Sequence, residues 1–371
     1  MRKQALALTL AATLPMMAQA DVTLYGSLRL GVDSLKSVDS SFKSTAGVDD
    51  FGSRIGFKGK ENLGSGLQAI WQVETGMALD GVTTNSSSST GTLANRTSFV
   101  GLQGDWGKLR LGYLDDVLTE TEATDTLYGA RRDQKSGLAV PLYEASDIFG
   151  SNNLGDSRVK NSLRYDSPDW HGVNGILQYS AGEKLSGGRV SGSTLGTRLA
   201  YANSGFFAGY AYMTRLNAAS SKNSAVQRLE FGYKQNALFL GATLQTTKLY
   251  GDAHQTNSIG QLEIPGIVSS GVANTGLNKL TSQAWALKAA YTLGDFTPSL
   301  LYSKRSHVKV DGQSLDWGAD QYAAAVDYKL SKRSLLEAGY GHLKEKQGAQ
   351  NALGWSNGGA SISWLMMRHD F

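Results

Sequence analysis

Five carboxylates crowd one short stretch of this chain: Asp115, Asp116, Glu120, Glu122 and Asp125. Three cations follow a few residues on, Arg131, Arg132 and Lys135. Acids this close together invite a divalent-cation site, but the Asp-x-Asp-x-Asp-Gly order of a calcium loop is missing. Hydrolysis by a serine nucleophile would need a Ser–His pair held by a third group. His171, His254, His307, His342 and His369 fall mostly in turns or near strand-like ends, and none adjoins a nucleophile pattern. The reading is therefore non-enzymatic, with no metal and no cofactor. What fixed charges can still do is select ions, where opposite signs line a passage.

The acids open a segment, residues 114–157, that is 44 residues long and shows no sustained period of 2 or 3.6. It lies between two strand-like runs, Lys108 to Tyr113 and Arg158 to Asp166. A structureless insertion of this length inside a compact domain is usually functional or disordered. Leu127, Tyr128, Leu138, Val140, Tyr143, Ile148 and Phe149 punctuate it, so it is expected to pack on something. The expectation is that the rest of the chain forms a membrane barrel and that this segment folds into its lumen.

Composition supports that frame. Arg2 and Lys3, the apolar run Ala5 to Leu14 and the small-x-small end Ala18-Gln19-Ala20 read as a secretory signal peptide over residues 1–20. The run falls short of the ~20 residues that a spanning helix needs. Its removal takes two basic residues and no acid, leaving 34 basic against 32 acidic. That balance gives no case for nucleic acid. Cysteine is absent, glycine abundant (44) and proline scarce (5). No later segment is apolar enough for a spanning helix, and the apolar residues are spread in short alternating runs. This is the signature of a transmembrane β-barrel, polar toward the lumen and apolar toward lipid.

Val22, Leu24, Leu28 and Leu30 share one face of the first run, and Thr23, Tyr25, Ser27 and Arg29 the other. A period of 2 means strand. Such strands must close on each other, because lipid cannot satisfy their backbone. In the next run Ile55 and Phe57 read outward and Arg54, Lys58 and Lys60 inward. Strand, short turn, strand and longer polar loop then recur to the end of the chain. The count is sixteen, near 22–34, 51–61, 66–78, 95–103, 107–114, 158–167, 172–183, 193–203, 205–216, 225–235, 237–250, 283–293, 295–307, 320–330, 333–345 and 358–371. The fold expected is all-β, a 16-stranded antiparallel transmembrane barrel spanning 21–371, wide enough for an aqueous channel. Tyr25, Tyr113, Trp170, Tyr291 and Trp364 are expected in its interfacial aromatic girdles.

Several runs in order carry a resemblance: Asp21-Val22-Thr23-Leu24-Tyr25-Gly26, Ser53-Arg54-Ile55-Gly56-Phe57-Lys58-Gly59, Ser98-Phe99-Val100-Gly101-Leu102 and Arg368-His369-Asp370-Phe371. Together they resemble the general diffusion porins of Gram-negative outer membranes, in the neisserial and β-proteobacterial branch. The resemblance implies an outer-membrane homotrimer, passive diffusion of small hydrophilic solutes and ions, and a third outer loop folded inward as a constriction. It implies that Phe371 is an assembly signal read by the outer-membrane assembly machinery. By position, Arg54, Arg96 and Arg158 resemble the basic ladder facing that loop; alternation adds Arg29 and Arg110. The loop lacks the Pro-Glu-Phe-Gly-Gly run of enterobacterial porins, so the resemblance singles out none of Asp115, Asp116, Glu120, Glu122 and Asp125. Inward basics outnumber inward acids in the first strands, which leans toward anion preference. A substrate-specific channel and an adhesin-like barrel acting through its outer loops stand as the other readings.

Overall fold

The structure is a computed structural model and describes residues 21–37, 45–81, 93–121, 123–124, 158–182, 192–216, 222–250, 279–314, 316, 318–346 and 359–371. The expected signal peptide (1–20), Glu122, Asp125 and most of the 114–157 segment lie outside them. So does most of the polar loop 80–94.

The described residues form one continuous sheet of β1 (Asp21–Ser37), β2 (Thr45–Asp50), β3 (Arg54–Gly64), β4 (Leu67–Gly76), β5 (Ser98–Gly104), β6 (Gly107–Asp115), β7 (Arg158–Asp166), β8 (Val173–Ser180) and β9 (Ser193–Asn203). It continues through β10 (Phe206–Leu216), β11 (Ser224–Gln235), β12 (Leu238–Tyr250), β13 (Lys279–Tyr291), β14 (Phe296–Val310), β15 (Gln313–Ser314), β16 (Ala319–Lys329), β17 (Ser334–Glu345) and β18 (Gly359–Asp370). Every neighbour pair is antiparallel, and β18 pairs with β1, so the sheet closes. Eighteen segments make sixteen traverses. The paired segments β2 and β3 both run along β1, interrupted only at 51–53. There the Asp50 carboxylate accepts the N–H groups of Gly52 and Ser53, both at 2.8 Å. Short β15 is a two-residue hairpin return on the end of β14.

Alternation fixes the two faces. Along β11 Leu229 and Phe231 are exposed while Arg228 and Glu230 are buried. Leu240 and Leu244 are likewise exposed on β12, with Thr243 and Gln245 buried. The exposed apolar set is the outer, lipid-facing surface and the polar set is the lumen wall. At one end the connections are tight. The β9–β10 turn places Ser204 at φ 51° and Gly205 at φ 85°, the two positive values that a two-residue hairpin demands. At the other end they are long, which makes that the outer end.

The seam of the barrel is the pairing of β1 with β18, extended by Phe371. Phe371 and Gly26 exchange backbone hydrogen bonds of 3.1 and 3.2 Å. A Cβ at Gly26 would collide with the Phe371 ring, so glycine lets the ring lie on the outer face there. Two expected girdle residues point the other way. The Tyr25 hydroxyl donates to Glu74 in the lumen at 3.1 Å, and Trp364 donates to buried Glu337 at 2.7 Å. Both fall on the lumen phase of their strands, whereas Trp170 and Tyr291 are exposed as expected.

Candidate pore constriction

A cavity of about 790 Å³ lies against the inner faces of β1 and β3 to β7. Seven of its lining residues are basic (Arg54, Lys58, Lys60, Arg96, Lys108, Arg110 and Arg158) and three are acidic (Asp21, Glu74 and Asp115). Four of the five expected basic-wall residues therefore come together. Alternation accounts for this, since apolar Ile55, Phe57, Leu109 and Leu111 take the outward positions beside them.

The cations are held by a few acids on the same wall. Arg96 Nε stands 2.5 Å from one Glu74 oxygen, and Arg54 Nε 3.8 Å from the other. Arg110 pairs with Asp166 at 2.7 Å and lies over the Phe99 ring, 5.2 Å from its centroid. Arg158 meets Asp115 at 3.1 Å, and the Thr97 hydroxyl donates to the same carboxylate at 2.6 Å. A pair that keeps contact with water stays individually weak, and its charge still shapes the local field. Arg29 lies outside this lining: its Nε donates to Ser27 at 3.0 Å, in register with Arg368 of β18.

The expected loop acids separate into different jobs. Asp115 belongs to the wall, through Arg158. Asp116 is wholly buried and accepts the N–H groups of Leu118 and Thr119, both at 2.9 Å. It shapes the first turn of the loop, which departs from the lumen-lining role expected for it. Glu120 reaches Arg164 of β7 at 2.7 Å. Glu122 and Asp125 fall outside the described residues.

That first turn runs along the lumen wall. A Cβ at Gly196 on β9 would crowd the Val117 side chain. Buried Arg228 on β11 donates to the Leu118 carbonyl at 3.0 Å and to the Thr121 hydroxyl at 2.8 Å. Its other guanidinium nitrogens bind Gln245 at 2.9 and 2.6 Å. Glu230 accepts the Ala123 N–H at 3.0 Å and Arg198 at 3.0 Å. The Thr124 hydroxyl donates to Thr243 on β12 at 2.7 Å. Gly241 lies directly under the Ala123 carbonyl, where any Cβ would overlap it.

Arg164, Arg198, Arg228 and Glu230 did not stand out in the sequence. Their signal was present all the same. Each sits one residue from an exposed leucine, Leu163, Leu199 or Leu229, and so on the lumen phase.

The geometry is a closed barrel with a charged inner wall and no helix among the described residues able to cross a membrane. The model of the Gram-negative porin family matches residues 5–348. The major outer membrane protein P.IB of Neisseria meningitidis serogroup A is 34% identical over 382 residues, with all of both chains covered. The P.IB protein of Neisseria gonorrhoeae is 32% identical over 401 residues, again with all of both covered. Among solved structures, an anion-selective porin from Comamonas acidovorans superposes with a TM-score of 0.72 at 22% identity, covering 95% of this chain and all of that one. The chain belongs to the Gram-negative porin family, β-barrels of the outer membrane that form water-filled channels for passive diffusion of small hydrophilic solutes.

Proposed function

We propose that this porin prefers anions and that Arg54, Arg96, Arg110 and Arg158 are the filter. The observation that carries this is the imbalance of the lining, seven basic residues against three acidic. Arginine is the cation best suited to a fixed-charge filter, because its guanidinium stays charged at every working pH. The first turn of the loop already lies on the lumen wall, anchored to β11 and β12. The reading extends that course to the rest of the 114–157 segment, as the constriction opposite the basic wall. Arg29, near the seam, is assigned to the lumen field rather than to the filter.

The proposal includes a homotrimer, removal of residues 1–20 on export, and Phe371 as the signal for the assembly machinery. No catalytic step belongs to it. The test is single-channel recording of refolded 21–371 in a planar bilayer under a salt gradient. Large steps closing in groups of three, with a reversal potential of the anion sign, are the expected result. A cation-sign potential would overturn the filter, and a folded barrel that never conducts would overturn the channel itself.

A further inference from the structure

Two phenyl rings face the channel near its inner mouth. Phe207 follows the tight β9–β10 turn by two residues, and Phe239 follows the β11–β12 turn by two. Phe207 shares the lumen phase of buried Ala211 and Met213, and Phe239 that of Thr243 and Gln245. Their exposed neighbours Phe206 and Leu240 take the lipid side. The lumen wall of a water-filled barrel is ordinarily polar at such positions. An interfacial girdle does not account for rings on this face, since girdle aromatics meet lipid headgroups.

The strand between the two rings makes room for them. Gly232 of β11 is in register with Phe207 on one side and Gly241 on the other. A Cβ at Gly232 would collide with the Phe207 ring. Glycine therefore lets that ring lie across β11 toward β12. The Phe207 and Phe239 centroids stand 6.1 Å apart with 25° between the planes, a stacked pair.

Two cations flank the pair. The Lys288 ammonium of β13 lies 5.8 Å from the Phe239 centroid, and its backbone pairs with Gly241. Lys234 of β11 pairs directly with Phe239, shares its face and is exposed. The acids nearby are engaged elsewhere as well as here. Asp327 of β16 feels the charges of both Lys288 and Arg368, and is in register with Glu337, which holds Trp364. Glu230, on the lumen phase of β11 above Gly232, accepts from Arg198 and Ala123. Gly241 also bears the Ala123 carbonyl, so the rings lie just inward of the loop's first turn. A solute that clears the loop meets them next.

A stacked aromatic surface favours a planar ring, and ammonium groups at its edge favour a carboxylate. An aliphatic anion gains nothing from the first, and a neutral aromatic nothing from the second. We propose that Phe207 and Phe239 form a binding shelf for aromatic carboxylates, with the solute's ring against theirs and its carboxylate on Lys288 and Lys234. The shelf rests on the anion-preferring reading for the solute's entry, so binding and permeation are measured separately.

Binding is read by fluorine NMR of 4-fluorobenzoate with the refolded 21–371 barrel in detergent, as line broadening beyond that from empty micelles. Benzoate should displace the probe, and cyclohexanecarboxylate, equal in charge but without a flat ring, should do so about fivefold more weakly. Phe207→Leu/Phe239→Leu should weaken binding about fivefold, and Lys234→Gln/Lys288→Gln about tenfold. If either double variant fails to fold, its two single variants are read the same way. Absence of binding by wild type, equal displacement by the saturated ring, or unchanged binding in either variant overturns the shelf. In a planar bilayer, benzoate should reduce the chloride current of wild type more than that of Phe207→Leu/Phe239→Leu. An anion-sign reversal potential without this block overturns the shelf and leaves the filter standing. A cation-sign potential with specific NMR binding intact supports the shelf and overturns the filter.

Discussion

Glu74 is the residue on which the basic wall turns. It accepts from Tyr25 and sits between Arg96 and Arg54, so one carboxylate offsets two guanidinium groups. Glu74→Gln keeps the volume and an acceptor oxygen but removes the charge. One unit charge ~10 Å from a permeating ion, in water-like dielectric, is worth about 0.4 kcal/mol. Each ion's population therefore changes about twofold, and the anion-to-cation permeability ratio about fourfold at low salt. Glu74→Gln should raise that ratio and Arg96→Gln should lower it, both read from reversal potentials. Shifts of the same sign in the two variants would show that the wall does not set selectivity. Arg54 and Arg96 were visible in the sequence through the runs that flank them. Their shared partner was not, because which acid meets which arginine depends on strand register and on a contact 22 residues apart.

At the scale of the element, the question is how a loop lies against a strand wall. The wall answers with missing side chains. Gly241 on β12 admits the Ala123 carbonyl, and Gly196 on β9 admits Val117. Glycine inside a strand often marks such a close approach of another backbone. That was the readable clue to the loop's course, and it goes unseen when glycine is counted only as abundant. Gly241→Val should expel the first turn of the loop from its seat. The Ala123 bond to Glu230 and the Thr124 bond to Thr243 would go with it, each worth about 1 kcal/mol. The barrel should still form and run as a heat-modifiable band, while single-channel steps change in size and gain flicker. Protease added to the reconstituted barrel should cut within 114–157 faster than in wild type. Wild-type steps and an unchanged cleavage pattern would mean that the seat does not hold the loop.

At the scale of the whole molecule, the sixteen traverses were legible because one rule governs all of them. Lipid outside and water inside impose the same alternation on every strand, so boundaries such as 193–203 could be read locally. Tyr25 and Trp364 escaped that reading because interfacial aromatics were sought by type, while the period-2 phase puts both in the lumen. The break at 51–53 escaped because it rests on Asp50 capping two N–H groups, a turn device with no period. The pairing of β1 with β18 closes the sheet and Phe371 extends it by one residue, so two roles for Phe371 can be separated. Its backbone makes both hydrogen bonds to Gly26, and its ring covers the glycine from the lipid side. Phe371→Ala keeps the backbone pair and removes only the ring. In purified, refolded protein the loss should be modest, about 1–3 kcal/mol of apolar contact at a half-exposed site, with unchanged conductance. In cells the same variant should reach the outer membrane at a small fraction of the wild-type level, because an assembly signal is read on the unfolded chain, before the seam exists. Measured together, the urea midpoint of the refolded barrel and the amount in isolated outer membranes decide between the roles. A variant that refolds poorly but inserts normally in cells would make Phe371 a seam residue and nothing more.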